Sequence, residues 1–367
     1  MQYDAAITAA DFNTALAATS LNAATKSVIA DILDLDVANS TVAAAGFNGK
    51  ALSLTVDPVT GALQTPEFVS LDVAGAANTD VTIPVGPTLA NASVFLINSQ
   101  ANVTFTVGNA VTTQATVDAS GVTRAVISGS GNDTITVADN VNTLVDAGAG
   151  NDKVTTAGGN DVVILNGGNN TVSTGAGDDL VFTGNGNDTV DGGAGFDVVK
   201  VSGNLADYGV TSVNNSLVLT GTTGTVTLNN VQFVTDSAGV NSIAIASSQA
   251  EATALRLYEG LLNRDADVNG AQTWTGVLAG NGGDLKAIAN GFLNSAEYTS
   301  QGTLTDAQYI QSLYTHTLDR AADAEGLVTW AQVLATGGTR ADVALGIVGS
   351  VEAQNHDTGV IVVTGQV

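Results

Sequence analysis

Counting from Asp152, a nine-residue interval recurs without a slip at Asp152, Asp161, Asn170, Asp179, Asp188 and Asp197. Two residues before each stands a glycine (Gly150, Gly159, Gly168, Gly177, Gly186, Gly195), and two residues after each stands a valine (Val154, Val163, Val172, Val181, Val190, Val199). A period this short, with glycine turns and one β-branched residue per unit pointing inward, describes a coil of very short strands stacked on one another. The valines form its core. Two units complete one turn of the coil, so the acidic positions fall in two rows. Asp152, Asn170 and Asp188 share one edge, and Asp161, Asp179 and Asp197 share the other.

Neighbours within a row sit one strand spacing apart. At about 4.8 Å and an effective dielectric of about 20, two carboxylates repel by roughly 3 to 4 kcal/mol. A thin valine core cannot absorb that repeatedly, so the metal-free coil should not hold. Aspartate carboxylates, together with backbone carbonyls that glycine leaves unobstructed, are hard oxygen donors of the kind calcium takes. Calcium between successive corners turns repulsion into attraction, and its binding free energy becomes folding free energy. The composition agrees: 35 acidic residues face 10 basic ones, for a formal charge of −25, so the missing positive charge must come from solution. A surface this acidic repels phosphate backbones and anionic lipid, which argues against nucleic acid as a partner. No apolar run reaches the roughly eighteen residues of a membrane span, so no membrane insertion is expected.

The units "GAGND" (from Gly148), "GAGDD" (from Gly175) and "GNGND" (from Gly184), each with a valine two residues after its last aspartate, resemble the RTX, or haemolysin-type, calcium-binding nonapeptide. An earlier unit, "GSGNDTITV" from Gly129, matches as well, although Asp133 lies nineteen residues before Asp152 and breaks the eighteen-residue turn by one. The predicted metal set is Asp133, Asp152, Asp161, Asn170, Asp179, Asp188 and Asp197, with Gly148, Gly150, Gly159, Gly175, Gly177, Gly184, Gly186, Gly193 and Gly195 shaping the turns. Asn170 departs from the acidic pattern, and Ala157 and Asn166 replace the first glycine of their units, so those sites should be weaker. About four to six calcium ions are expected. The resemblance implies a parallel β-roll and export by a type I system, in which an unfolded chain leaves calcium-poor cytosol and folds in calcium-rich medium. That route accords with a start, "MQYDAAITAADF", that has neither a basic n-region nor a hydrophobic h-region. It accords also with "HDTGVIVVTGQV", which is compatible with an uncleaved C-terminal signal of the type I kind. The chain has no cysteine, which suits a protein that must not cross-link in transit.

The flanks divide the chain further, into a multidomain α+β protein with a central parallel β-roll, an N-terminal helical and β-rich region and a C-terminal all-α domain. Residues 1–46 read as helical, with Thr8 and Asp11 as a cap and Val28, Ile29, Ile32 and Leu33 as an apolar face that serves either core or docking. Residues 47–127 read as β-rich: "NVTFTVGN" alternates, and "VTIPVGP" carries edge-type prolines. Either a small sandwich or a degenerate extension of the coil fits. The roll covers 128–200. Residues 201–246, with Asn-Asn and Gly-Thr turns, read as hairpins that cap its end and resemble segments following RTX arrays in secreted bacterial proteins.

From 247 to 356 the period becomes helical. "SQAE" at Ser248 and "TDAQ" at Thr305 are capping boxes, with "TRAD" at Thr339 a near variant. Tyr258, Leu262, Arg264, Asp267, Gly270 and Trp274 recur fifty-six residues later as Tyr314, Leu318, Arg320, Asp323, Gly326 and Trp330, which implies two equivalent halves. The pattern resembles a helical domain of unassigned function attached to RTX arrays and surface-layer proteins. "DADVNG" (Asp265 to Gly270) copies the first half of an EF-hand loop, but Gly276 stands where a bidentate glutamate is required, so a helix-capping turn is the simpler reading. Trp274 and Trp330 offer a sugar platform or core packing, and their equivalence favours packing.

Three functional classes follow. There is no H-E-x-x-H or G-x-S-x-G motif and no cysteine nucleophile, and His316 and His356 are the only histidines, so a hydrolase is the least supported class and no enzyme is expected. A monomeric calcium-stabilised adhesin or carbohydrate-binding module is the alternative. The favoured class is a self-assembling structural protein of the bacterial surface, a layer or fibre. Its partners would be copies of itself and a cell-surface polysaccharide. Residues 357–367 include an apolar β-branched strand, Gly359, Val360, Ile361, Val362 and Val363, suited to augmenting a neighbour's sheet.

Overall fold

The computed structural model describes residues 7–36, 41–47, 52–54, 66–73, 75–83, 85, 89–108 and 121–366. Pro84 and Pro87 of the edge-proline expectation lie outside them. The chain divides into two compact units, Met1–Val231 and Gln232–Val367, so the boundary falls inside the segment expected as a cap.

In the first unit, β1 (Ile7–Thr8) leads into α1 (Ala9–Ala17) and α2 (Ala23–Ile32), followed by β2 (Thr41–Val42), β3 (Ala44–Phe47) and β4 (Leu52–Leu54). The coil then begins with β5 (Phe68–Asp72), β6 (Asp80–Ile83), β7 (Val94–Asn98), β8 (Asn102–Val107) and β9 (Arg124–Ile127). It continues through β10 (Thr134–Val137), β11 (Thr143–Asp146), β12 (Lys153–Thr156), β13 (Val162–Ile164) and β14 (Thr171–Ser173). It ends with β15 (Leu180–Phe182), β16 (Asp188–Asp191) and β17 (Val198–Val201). From β5 to β17 odd-numbered strands lie in one sheet and even-numbered strands in the other, every neighbour parallel. This is the parallel β-roll the repeats imply.

The register is set by the valines. Val154, Val172 and Val190 stack in the even sheet, and Val163, Val181 and Val199 stack in the odd sheet, each 2% exposed or less. The same ladder runs on toward the N-terminus: Ile135 pairs with Phe105, and Val145 with Val126 and then Phe95. Strands β5 to β9 are therefore an extension of the coil rather than a separate sandwich. The extra residue of the nineteen-residue step falls in the turn between β10 and β11, which leaves Ile135 opposite Val154.

Side-chain caps start both helices: Thr8 accepts the Asp11 N–H, as the sequence predicts, and Asn22 accepts the Thr25 N–H. Their apolar faces lie on the outer face of the odd sheet. Phe12, Leu16 and Ile29 pack with Phe68, Val94 and Leu144, and the Phe12 and Phe68 rings meet edge to face at 4.8 Å. The Val28, Ile29, Ile32 and Leu33 face is thus core.

At the far end β18 (Gly209–Val213), β19 (Ser216–Gly221) and β20 (Gly224–Asn229) form antiparallel hairpins, and β20 joins β16 in parallel. The last rung of an open coil leaves backbone donors and acceptors unpaired, and these hairpins cover that edge of the even sheet.

The second unit holds β21 (Phe233–Asp236) antiparallel to β22 (Ser242–Ala246), then α3 (Gln249–Leu262), α4 (Val268–Gly280), α5 (Leu285–Leu293) and α6 (Ala296–Ser300). After them come α7 (Asp306–Leu318), α8 (Ala324–Ala335), α9 (Arg340–Val348) and α10 (Val351–His356), and β23 (Val360–Val362) closes the unit. Full capping boxes stand at Thr305 and Thr339. Ser248 makes only half of one, because the Glu251 carboxylate turns to the Ser247 N–H and hydroxyl instead.

The duplication is structural. Arg264 lies over the Tyr258 ring and Arg320 over the Tyr314 ring, at 4.8 and 5.0 Å from the ring centres. Trp274 stacks on Phe292 and abuts Gly291, while Trp330 abuts Gly346 and donates its ring N–H to the Tyr314 hydroxyl. Both tryptophans are packing residues.

Candidate metal centre

Each turn of the roll presents two acidic corners, one on each edge, and the corners of an edge are linked by hydrogen bonds that climb one coil at a time. Asp152 Oδ1 accepts the Asp133 N–H, Asn170 Oδ1 accepts that of Asp152, and Asp188 Oδ1 accepts that of Asn170, at 2.8, 2.8 and 3.0 Å. On the other edge Asp161 takes the Thr143 N–H, Asp179 that of Asp161 and Asp197 that of Asp179, at 2.8, 2.7 and 3.1 Å. The two rows read from the sequence are therefore continuous ladders, one on each edge of the roll.

One carboxylate oxygen is used in this way. The Oδ2 atoms of Asp152, Asp161, Asp179 and Asp188 are buried without a hydrogen-bond partner. Burial, the largest influence at every one of these carboxyls, pushes Asp152, Asp161 and Asp197 up to about 7 and Asp179 to about 6. It raises Asp133 and Asp188 as well. A buried carboxylate with an unsatisfied oxygen is costly unless a cation or a proton supplies what is missing.

The glycines complete the donor set. At Gly177, φ is +134° and an added Cβ would stand 2.0 Å from the Gly159 carbonyl oxygen. At Gly168 and Gly186 it would meet the Gly150 and Gly168 carbonyl oxygens at 1.8 and 1.9 Å. Only glycine leaves this column of carbonyls open. Gly148, Gly150, Gly159, Gly175, Gly193 and Gly195 share the positive φ that the sequence implies. Gly184 does not; it serves for space, since a Cβ there would lie 2.5 Å from the Asn166 carbonyl oxygen.

Among the described residues no three carboxylate or imidazole side chains converge on one point. Each corner buries at most one carboxylate, so the remaining donors for an ion are backbone carbonyls, which calcium accepts and softer metals do not favour. Orphaned oxygens, a carbonyl column that a side chain would block, and an all-oxygen donor set fit calcium. Asp152, Asp161, Asp179 and Asp188 would hold it, with the turn carbonyls. Bound there, it supplies the positive charge that the corners lack. Asn170 places its amide N–H on Asp188 Oδ1 at 2.9 Å, a neutral contact where the other turns set two carboxylates side by side.

Asp133 differs from its predicted companions. Its Oδ1 accepts the Val103 N–H at 2.7 Å, and its Oδ2 is bonded by the Ser128 hydroxyl. Both its oxygens are used, so the first row's orphaned oxygens begin at Asp152.

A second pair of ladders escaped the sequence reading. Asn132, Asn151 and Asn169 each accept, through Oδ1, the N–H of the next residue up their column: Asn151, Asn169 and Asn187. On the other edge Asn142 serves Asn160, Asn160 serves Asp178, and Asp178 serves Phe196. The signal was the same nine-residue register shifted back by one, ending where Phe196 replaces the polar residue.

The residues predicted for assembly are placed otherwise than expected. Val360, Ile361 and Val362 pair in parallel with Ala244, Ile245 and Ala246 of their own chain, Gly359 gives its carbonyl to the Ala244 N–H, and Val363 is buried. A buried ion pair between Arg256 and Asp357, at 3.0 Å, fixes the approach to this strand. This corrects the donor-strand reading: an edge within the same chain is present at far higher effective concentration than a neighbour's. In "DADVNG", Asp267 caps α4 by accepting the Gly270 N–H at 2.8 Å, the capping-turn alternative.

Residues 127–163, 137–172 and 164–199 match the family model for the RTX calcium-binding nonapeptide repeat (4 copies). Residues 250–301 and 289–356 match a domain of unknown function, DUF4214. The chain carries RTX calcium-binding repeats followed by this C-terminal domain, and the repeats support a calcium-binding protein of secreted type. No curated protein and no solved structure matches it. Among the described residues no helix is long and apolar enough to cross a membrane.

Proposed function

We propose that this chain is a calcium-dependent, self-assembling structural protein of the bacterial surface, exported unfolded by a type I-like route and completed only when it meets calcium outside. The observation that carries the reading is the set of buried, partnerless Oδ2 atoms on Asp152, Asp161, Asp179 and Asp188. They make the roll's closure conditional on a divalent cation. A formal charge of −25 keeps copies apart until calcium screens and bridges their acidic faces, so the same ion favours folding and association. The role is structural rather than catalytic, with copies of the chain and a cell-surface polysaccharide as partners.

Light scattering and circular dichroism during a calcium titration, followed by chelation, test the reading. Folding accompanied by large regular assemblies that dissolve on chelation is the expected result. Folding to a monomer would remove the polymer and leave the calcium-stabilised adhesin as the better account.

A further inference from the structure

The two acidic rows are closed at their N-terminal ends by residues of the chain itself. In the first row Ser128 and Val103 occupy both oxygens of Asp133. In the second row Thr143 stands at the acidic position one coil below Asp161, and Arg124 is its register partner one rung further down. Arg124 is 1% exposed. Its guanidinium holds Asp139 in the turn between β10 and β11 through two contacts, Nη1 to Oδ1 at 2.7 Å and Nη2 to Oδ2 at 3.2 Å, while its Nε is buried without a partner. An arginine is charged at any pH the protein meets, and it is buried only where anions oppose it.

The core changes at the same place. From β12 onward the inward residues are mainly valine and threonine, as in Val154 with Thr156 and Val172 with Thr174, whereas the coil before it encloses Phe95 and Phe105, with ring centres 5.2 Å apart, together with Ile97 and Ile135. Its odd sheet is covered on the outside by α1 and α2. These rungs bury more apolar surface each and carry no row of facing carboxylates, so hydrophobic burial alone suffices to close them.

We propose that Arg124 is a resident cation that ends the second acidic row, so that the coil from β5 to β11 folds without metal and serves as the template onto which calcium adds the rungs from Asp152 onward. The proposal rests on the calcium reading for its second half only.

Hydrogen exchange followed by mass spectrometry on the full chain, in chelator and in calcium, tests it. In chelator the amides of β7 to β11 are expected to stay protected while those of β12 to β17 exchange freely. Arg124→Gln should lose at least tenfold of the protection of β9 and β11 in chelator and regain it in calcium, and Arg124→Lys, which keeps the charge, should restore part of it. Asp139→Asn, which removes the partner's charge, should weaken the same amides. Free exchange of β7 to β11 in wild-type protein under chelation, or an unchanged Arg124→Gln, overturns the proposal. Equal protection of β12 to β17 with and without calcium would instead overturn the calcium reading, and the Arg124 comparison in chelator would still stand.

Discussion

Asp179 stands one coil above Asp161, and its Oδ1 accepts the Asp161 backbone N–H at 2.7 Å while its Oδ2 is buried without a partner. One carboxylate thus has two duties, a hydrogen bond that an amide could make equally well and a cation contact that an amide makes less well. Asn170, which bonds the Asp152 N–H at 2.8 Å, shows the first duty by itself. Asp179→Asn is therefore expected to raise the calcium midpoint of folding severalfold. Asp179→Ala should do worse, because it also strands the Asp161 N–H at a cost of about 1 to 3 kcal/mol. Circular dichroism during calcium titration separates the two; equal midpoints for both variants would refute the division.

Asn170→Asp runs the opposite way. It restores a charged acceptor and removes the amide contact to Asp188. Isothermal calorimetry should find tighter calcium binding, and melting in chelator should find a less stable roll. A variant unchanged in both would show that this corner binds no ion.

Gly177→Ala should abolish calcium-induced folding of the roll. The new Cβ would meet backbone, the Gly159 carbonyl oxygen at 2.0 Å, and the φ of +134° is strained for any side chain. Gly276→Ala, inside α4 with nothing within 4 Å, is the control and should stabilise its helix by up to about 1 kcal/mol. Spectroscopic titration of both variants settles the comparison.

The pH dependence without calcium follows from the raised carboxyls. In the folded roll Asp152, Asp161 and Asp197 titrate near 7 and Asp179 near 6, against an ordinary value of 3.8, with burial as the leading cause. Between those values the folded roll holds protons that the unfolded chain has released. Stability in chelator is therefore greatest at low pH and is lost as pH rises from about 4 through about 7. Circular dichroism in chelator should show more folded roll at pH 5 than at pH 8, and the opposite trend would contradict the burial of these groups.

In the helical unit Gly346→Ala would drive a Cβ to 2.2 Å from the Trp330 ring, and Gly291→Ala one to 2.5 Å from the Trp274 ring. Alanine ordinarily favours a helix, yet here each change should cost about 1 to 3 kcal/mol by displacing a packed ring. Calorimetry should find similar losses for the two, since the halves are built alike; a stabilised variant would show that the rings do not rest on these glycines.

The register of aspartate, glycine and valine determined the two-sheet coil, the two acidic rows and the all-oxygen turns by itself, because a nine-residue period repeats one local geometry and needs no distant partner to define it. The fifty-six-residue recurrence determined the paired halves of the helical unit in the same way. Tertiary structure alone decided what has no period. It joined β5 to β9 to the roll, set Ser128 on Asp133, and buried Arg124 against Asp139 from fifteen residues away. It also returned Val360 to Val362 to β22, more than a hundred residues back, where the sequence suggested a strand for a neighbour. Those choices depend on which surfaces meet once the chain is compact, and one residue type at one position carries no trace of the partner it will find.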